Sequence, residues 1–292
     1  KAIRGLEEDM RLKIRELLEN VEGKSEFNFV TEIAEQLPLW VLCEMMGIPE
    51  SDRSKIRDLV NNLTDASIQQ DPNNSFQIWV NYMELFKMGR DMIEERRKKP
   101  TDDLMSVVAN TKVEGGDLPP ELLDGFFLLM VIAGNETTRN TLTGGLMALT
   151  ENPSEREKLL KDPSLIANAT DEMLRWVTSV IYFRRTATKD TNIRGQDIKA
   201  GDKIIMWYGS ANRDEDIFID GHLFKVDRQN AKKHLAFGAG EHLCLGNRLG
   251  HMQIRILFEE LLKRFPNIHS VAEPVRIPSN FLAGISELKV SI

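Results

Sequence analysis

Apolar residues in the first two thirds of the chain recur at three- and four-residue steps, the spacing that places them on one face of an α-helix. Residues 5–21 carry one such face, made of Leu6, Met10, Ile14, Leu17 and Leu18. Residues 76–99 repeat the pattern up to Pro100, which ends the helix. The stretch 30–49 between them is too apolar for a surface helix, so we expect it to lie against the core.

A longer helix is predicted between two proline signals. Pro119 and Pro120 suit a helix entrance and Pro153 suits an exit, and about 30 residues in between would form a rod of roughly 45 Å. Residues 165–177 predict a further helix. Residues 182–209 are richer in β-branched and aromatic positions broken by turn residues, which predicts a small β-meander. A helix over 246–265 and a strand-like tail follow.

The predicted fold is therefore mainly α with a small β-meander. No linker or repeat divides the chain, so we expect a single domain over 1–292. Within it we expect helices over 1–178, a β-rich part over 180–210, an irregular segment ending in a cysteine turn over 211–246, and a helix and strands over 247–292. The sequence begins at Lys1, without a Met and already in helical pattern, so we expect that an N-terminal part is missing.

Composition narrows the class of partner. The chain is 41% hydrophobic with a formal net charge of −7, which argues against binding to nucleic acid or to an anionic membrane surface. The longest apolar run, 126–134, is too short to span a bilayer. With only two cysteines, a reducing cytoplasmic location is expected.

One of those cysteines, Cys244, lies in the glycine-rich turn "AFGAGEHLCLG" over 236–246. A phosphate loop is excluded because no Lys follows the glycines. Zinc is disfavoured because His234, His242, Cys244 and His251 lack the usual paired ligand spacing. A buried cysteine acting as a small hydrophobe remains the alternative. Against it, Gly238 and Gly240 permit a tight backbone, and a position near a helix N-terminus favours a thiolate.

The order Phe237-Gly238-x-Gly240-x-His242-x-Cys244-x-Gly246 resembles the haem-binding signature of the cytochrome P-450 superfamily. The resemblance extends over about 121–290 and implies that the Cys244 thiolate is the axial ligand of haem iron. It further implies that Phe237 packs on the sulfur side of the ring, that the glycines, including Gly246, let backbone amides approach the sulfur, and that His242 reaches a haem propionate.

Residues 133–138, "AGNETT", resemble the oxygen-binding segment of the same family. A mid-helix Thr tends to bond the carbonyl four residues earlier, so we expect Thr137 to bond Ala133 and open a groove with Gly134. The resemblance implies that Ala133 borders the haem and that Glu136 and Thr137 deliver protons to oxygen. The alternative from the residues alone is a helix contact made by small residues beside a solvated Glu.

Three arginines complete the resemblance. Glu172 and Arg175 match the family's Glu-x-x-Arg pair, and Arg228 would complete a buried structural network with them. Arg185 occupies the position of a propionate-binding arginine, although its neighbour Arg184 could serve as well. Without the resemblance, the first pair would be an ordinary surface contact and Arg185 a strand residue facing water.

The resemblance also implies a pocket and a reaction. The pocket would be apolar, although its members could equally be ordinary core: Leu129, Ile132, Val180, Ile181, Phe183, Phe281 and Leu282. We expect a bacterial, cytoplasmic haem b monooxygenase that hydroxylates a terpene, an alkane or fatty acid, or a sterol side chain with O2. A haem-thiolate peroxygenase or isomerase and a non-catalytic haem sensor are the alternatives.

The electrons would come from NAD(P)H through an acidic ferredoxin. Residues 225–255 are locally basic in an acidic chain, which favours docking of an acidic protein there. The predicted docking face centres on Lys232, Lys233 and Arg248, with Lys225, Arg228 and Arg255 adding to the positive count.

Overall fold

The computed structural model describes residues 2–64, 71–113 and 115–292, so Lys1, 65–70 and 114 of the predicted domain lie outside the described residues. The described part is mainly helical, as predicted. Its α-helices are α1 (Ala2–Glu19), α2 (Gln36–Met46), α3 (Glu50–Thr64), α4 (Ser75–Lys98), α5 (Leu104–Asn110), α6 (Pro120–Glu151), α7 (Pro153–Lys161), α8 (Ile166–Val177), α9 (Tyr208–Ala211) and α10 (Asn247–Arg264).

Short strands form several small sheets. The strands are β1 (Glu26–Asn28), β2 (Lys112–Val113), β3 (Gly116–Asp117), β4 (Tyr182–Thr186), β5 (Thr191–Ile193), β6 (Gln196–Ile198), β7 (Lys203–Trp207), β8 (His269–Ser270), β9 (Val275–Arg276), β10 (Ile285–Glu287) and β11 (Lys289–Ser291). The strands of the predicted meander do not all pair in sequence order. Strand β4 pairs antiparallel with β7, and the hairpin β5–β6 forms a separate sheet between them.

The N-terminal and C-terminal parts of the chain meet in one sheet of order β1, β11, β8. Phe27 is paired with Val290, and both side chains are buried. Strand β1 was not predicted because a three-residue strand has too few positions to show a period of two. Its pairing with β11 fixes the segment that leads into α2.

The long helix α6 runs through the centre of the structure and confirms the predicted rod. Pro120 stands at its first turn, where the missing N–H costs nothing, and the helix ends before Pro153. One hydrophobic cluster packs α2 to α5 against its first half, and a second packs α1, α8 and α10 against its second half. Both clusters share α6, so its two halves have separate packing partners.

Helix α10, which follows the cysteine turn, is fixed to α1 by half-buried ion pairs as well as by apolar packing. Arg11 lies 3.0 Å from a carboxylate oxygen of Glu260, and Arg255 lies 2.7 Å from one of Glu7. Such pairs contribute little singly but more as a network. No helix in the described ranges combines the length and apolar character needed to cross a bilayer.

We predict that Gly89→Ala destabilises the crossing of α4 and α6. A Cβ atom at Gly89 would lie 2.7 Å from a ring carbon of the buried Phe127. Because overpacking of a close-packed site costs about 1–3 kcal/mol, urea denaturation should show a loss of that size. Gly125→Ala on α6 is the control, since its Cβ would meet no atom within 4 Å. A Gly89 variant as stable as the Gly125 variant would contradict the close approach.

Candidate functional site

The cysteine turn is a closed loop immediately before α10. Gly238 and Gly240 have φ angles of +70° and +69°, a conformation that disfavours residues with a side chain. The backbone N–H of Cys244 donates to the carbonyl oxygen of Phe237 at 2.9 Å and closes the loop. The loop therefore presents Cys244 three residues ahead of Asn247, where α10 begins.

The Cys244 thiol is free and exposed, whereas the other cysteine, Cys43, is buried. Loss of contact with water raises the pKa of the Cys244 thiol, and a hydrogen bond from the backbone N–H of Gly246 opposes that shift. The expectation that the turn alone favours the thiolate is thus only partly met, because one amide does not outweigh desolvation. Burial is the main cause that raises the pKa of Cys43 to about 11, with smaller opposing effects of the Arg53 and Glu44 charges.

Apolar side chains surround the exposed sulfur. Leu243 and Leu245 flank it and are exposed, Leu245 to 79%. Phe237 packs behind the loop, and its ring carbons would lie 3.7 Å from a Cβ at Gly250 of α10. The same Cβ position lies 3.9 Å from the hydroxyl oxygen of Thr138, which brings α6 next to the loop. The exposed sulfur is therefore flanked by two exposed leucines in a turn whose preceding residues, Glu241 and His242, are exposed and polar.

The segment of α6 opposite this surface has the predicted local hydrogen bond. The Thr137 hydroxyl donates to the Ala133 carbonyl oxygen at 2.8 Å. Ser179 donates to the carbonyl oxygen of Thr137 at 2.9 Å, and so does Thr141. Leu129, Ala133 and Thr137 follow at four-residue steps, so they share one exposed or half-buried stripe of α6.

Glu136 is buried, with only 2% of its surface exposed. The alternative interpretation of the segment, which required a solvated Glu, is therefore not met. Its carboxylate forms an ion pair with the buried guanidinium of Arg139, three residues later on the same helix. No sequence signal marked Arg139, because an i,i+3 pair in a sequence is usually a surface contact. Because both partners are buried, this ion pair lies inside the protein next to the Thr137 segment and not on its surface.

Glu172, Arg175 and Arg228 form one buried network behind the cysteine turn. Arg175 donates to both carboxylate oxygens of Glu172 at 2.7 Å, and Arg228 Nε donates to the same oxygens at 3.2 and 3.0 Å. The remaining guanidinium donors bond the carbonyl oxygens of Asn212, Ile219, Asp220, Gly221 and Leu223. The structure thus brings together the three residues predicted from the sequence, and their guanidiniums bond a backbone segment that has no regular secondary structure.

Asn212, which sequence reasoning missed, connects this network to the approach of the cysteine turn. Its carbonyl oxygen accepts from Arg175 at 2.7 Å, and its side-chain oxygen accepts from the backbone N–H of Leu235 at 2.6 Å. Its amide nitrogen donates to the Thr178 hydroxyl at 2.8 Å. The fully buried Asn212 therefore holds residues just before Phe237 in place.

The two histidines considered as zinc ligands face a carboxylate. His251 Nε2 lies 3.3 Å and His234 Nε2 lies 3.7 Å from the same oxygen of Asp171. Burial raises the pKa of Asp171, but the two imidazoles lower it more, so the net pKa lies well below its usual range. Among the described residues, no three or more His, Cys, Asp or Glu side chains are arranged so that they could hold a metal ion. This arrangement offers no support for zinc.

Arg185 follows Phe183 by two residues on β4, so both side chains lie on the same face of the strand. Arg185 is half-buried, and one of its guanidinium nitrogens donates to the Arg184 carbonyl oxygen at 3.0 Å. In the part of the chain that the structure describes, neither Arg184 nor Arg185 forms an ion pair. Phe183 contacts Tyr208, whose hydroxyl oxygen would lie 3.6 Å from a Cβ at Gly238. The Arg185 face of β4 thus points toward the cysteine turn, and Arg185 has capacity for a carboxylate ligand.

The seven predicted pocket residues do not line one common pocket. The segments 179–183 and 281–283 pair, with Ile181 N–H donating to the Phe281 carbonyl oxygen at 2.9 Å and a bridge between Val180 and Leu282. An open pocket of about 440 Å³ has Phe183 and Phe281 in its lining, together with Tyr182, Arg184 and Ile205. Leu129, 61% exposed, and Ile132 lie on α6 and do not line that pocket.

The predicted basic docking face has fewer unpaired cations than the sequence count indicated. Arg228 is buried on Glu172, Arg255 pairs with Glu7 and Glu259, and Lys225 lies 2.7 Å from Asp220. Lys225 and Arg255 therefore add no uncompensated charge, and Arg228 is withdrawn from the surface, where it shares Glu172 with Arg175. Lys232, Lys233 and Arg248 are exposed and form no ion pair with a residue in the described ranges, so we define the docking face by these three.

A family model described as Cytochrome P450 matches residues 50–290 of the chain. A steroid C26-monooxygenase of Rhodococcus jostii is 36% identical over 99% of this chain and 60% of its own length. A methyl-branched lipid omega-hydroxylase of Mycobacterium bovis is 38% identical over 90% of this chain and 62% of its own length. The chain thus spans less than two thirds of these two relatives.

Among solved structures, a Mycobacterium marinum cytochrome P-450 in complex with pseudoionone superposes with a TM-score of 0.93. It is 35% identical, and the match covers 99% of this chain and 71% of that one. The mainly helical architecture with small sheets is therefore the fold of that family. The chain accounts for about seven tenths of the solved structure's length.

We predict that Glu172→Gln strongly destabilises the protein. The substitution removes the negative charge shared by two buried guanidiniums, and breaking a buried ion pair costs about 3–5 kcal/mol. The free energy of unfolding, measured by urea denaturation, should fall by that amount. Glu157→Gln is the control, because Glu157 forms an exposed pair with Lys161, so a change below about 0.5 kcal/mol is expected. Equal effects of the two substitutions would contradict the network's role.

Proposed function

This chain belongs to the cytochrome P-450 family of monooxygenases, and we propose that it hydroxylates a hydrophobic small molecule with O2 and two electrons from a redox partner. The family uses haem b, with electrons derived from NAD(P)H. One observation carries the proposal for this chain: the free, exposed Cys244 thiol stands on a turn that two positive-φ glycines shape and apolar leucines surround. A soft sulfur donor in an apolar setting fits a haem iron.

The residues that would hold haem b follow from this fit. Cys244 would bind the iron through its thiolate, with Phe237 packed behind the turn and the Gly246 N–H directed at the sulfur. Arg185 and His242 would bind the propionates, since a guanidinium suits a carboxylate. The bound group supplies the redox chemistry that activates O2. The Glu172 network lies behind the turn and keeps the thiol in position.

Proton delivery is assigned to α6. The Thr137 hydroxyl donates a hydrogen bond to the Ala133 carbonyl oxygen, so the lone pairs of its own oxygen can accept a hydrogen bond from a group bound beside the exposed stripe. Glu136 is the proposed proton relay: its carboxylate, ionised in the pair with Arg139, would take up a proton and pass it on towards Thr137. A positioned carboxyl group that gains and releases a proton in this way is a usual device of general acid–base catalysis.

The proposed substrate is a terpene, an alkane or fatty acid, or a sterol side chain. The relatives named for steroid and methyl-branched lipid oxidation support this range. The aromatic and aliphatic residues 180–183 and 281–282, together with the α6 stripe of Leu129 and Ala133, would contact an apolar substrate. Pockets of this composition favour apolar ligands.

The proposed electron donor is an acidic ferredoxin that docks on Lys232, Lys233 and Arg248. Lys232 and Lys233 shortly precede the cysteine turn in the chain and Arg248 shortly follows it, and all three are exposed in a chain of net charge −7. Opposite charge on a partner would steer its encounter with this face. Both cysteines are free, which supports the reducing cytoplasmic setting that we also propose.

The ligand assignment is tested with the two cysteines of the chain. The reduced, carbon monoxide-bound protein should show the red-shifted Soret band of thiolate ligation, and Cys244→Ser should abolish it. Cys43→Ala is the matched control, because Cys43 is buried in the core and its loss should leave the band in place. A band of histidine-ligated type in the unsubstituted protein would refute the assignment.

The proton route is tested with Thr137→Ala. Product formation should fall by up to about 100-fold while O2 consumption continues, because a positioned proton donor contributes roughly that factor. Thr150→Ala is the control, since Thr150 makes the same bond to the carbonyl four residues earlier near the end of α6. Unchanged coupling of O2 to product in the Thr137 variant would favour a peroxygenase, an isomerase or a sensor instead.

A further inference from the structure

Two histidines and one carboxylate near the docking face form a cluster that the proposed chemistry does not use. Asp171 on α8 has one oxygen 3.3 Å from His251 Nε2 and 3.7 Å from His234 Nε2. His234 follows Lys232 and Lys233 directly in the chain. His251 lies on α10 three residues after Arg248, so the two share a helix face. The cluster therefore joins both parts of the docking face.

The hydrogen-bonding pattern indicates where protons bind. His234 Nδ1 accepts the backbone N–H of Ala236 at 3.2 Å, so its Nε2 carries the hydrogen that faces Asp171. That imidazole is nearly enclosed, whereas the His251 side chain is 30% exposed. His251 therefore has a route to bulk solvent, and its Nε2 faces an oxygen of Asp171.

The other charges around His251 do not compensate it. From α8, Asp171 faces the His251 imidazole. From the loop before the cysteine turn, His234 lies on the same Asp171 oxygen. On α10 itself, Arg255 is neutralised by Glu7 and Glu259, and Arg248 is exposed. A proton on His251 thus adds a positive charge to a face that already carries Lys232, Lys233 and Arg248.

We propose that His251 belongs to the docking face, and that proton binding at His251, held by Asp171, strengthens docking of an acidic electron donor as the pH falls. This inference rests on the proposed function, in which that face binds the donor. Histidine is the side chain that ordinarily changes charge between about pH 5 and pH 8. The carboxylates of an acidic donor stay ionised over that range, so only this protein's side of the contact gains charge.

The test measures binding of the oxidised haem protein to an acidic plant-type [2Fe–2S] ferredoxin by calorimetry, without turnover. Affinity should rise roughly threefold between about pH 8.5 and pH 6, the size expected for one added charge near the surface at low salt. His251→Arg should bind tightly at both pH values, and His251→Gln weakly at both. His269→Gln, at an exposed histidine of β8, should keep the pH dependence.

The outcomes separate this inference from the docking proposal. If a Lys232→Glu/Lys233→Glu variant and added salt weaken binding but pH does not, the docking face stands and the role of His251 is wrong. Persistence of the pH dependence in His251→Gln would likewise overturn the assignment. If neither the lysine variant nor salt changes the affinity, the docking face is wrong, and the role of His251 is wrong with it.

Discussion

The structure around the candidate site depends on one buried carboxylate, Glu172, which the guanidiniums of Arg175 and Arg228 share as an ion-pair partner. A buried guanidinium without an anion would be strongly unfavourable, so the three side chains are stable only together. Their remaining donors bond carbonyl oxygens between 212 and 223, a stretch with no strand partner for its backbone. The network thus supplies the hydrogen bonds that regular secondary structure would supply elsewhere.

This arrangement permits the cysteine turn to be both exposed and fixed. The turn makes few apolar contacts on its open side, where Leu245 and Cys244 face outward. Its position is set from behind, by Asn212 on the Leu235 N–H and by Phe237 against α10. A reactive sulfur can therefore be presented to a ligand without the loop having to form an enclosed core of its own.

The helices could be predicted from the sequence because their period and proline boundaries are local signals, as Pro120 and Pro153 illustrate for α6. The Thr137 bond to Ala133 could also be predicted, since both residues lie on one helix. Partners that meet only in three dimensions could not. The charge count over 225–255 failed for this reason: Arg228 and Arg255 are neutralised by residues far away in the chain, on α8 and α1.

Two neighbouring carboxylates on α8 show how one helix serves two purposes. Successive residues of a helix point about 100° apart, so Asp171 and Glu172 face different surroundings. Glu172 pairs with guanidiniums, which keep their charge at all relevant pH values. Asp171 faces two imidazoles, and imidazole is the side-chain group that ordinarily changes charge near neutral pH. The ion pairs of Glu172 under the cysteine turn are therefore independent of pH, whereas the contacts of Asp171 involve groups of a type that is not. A change of charge at the proposed docking face need not alter the position of the sulfur.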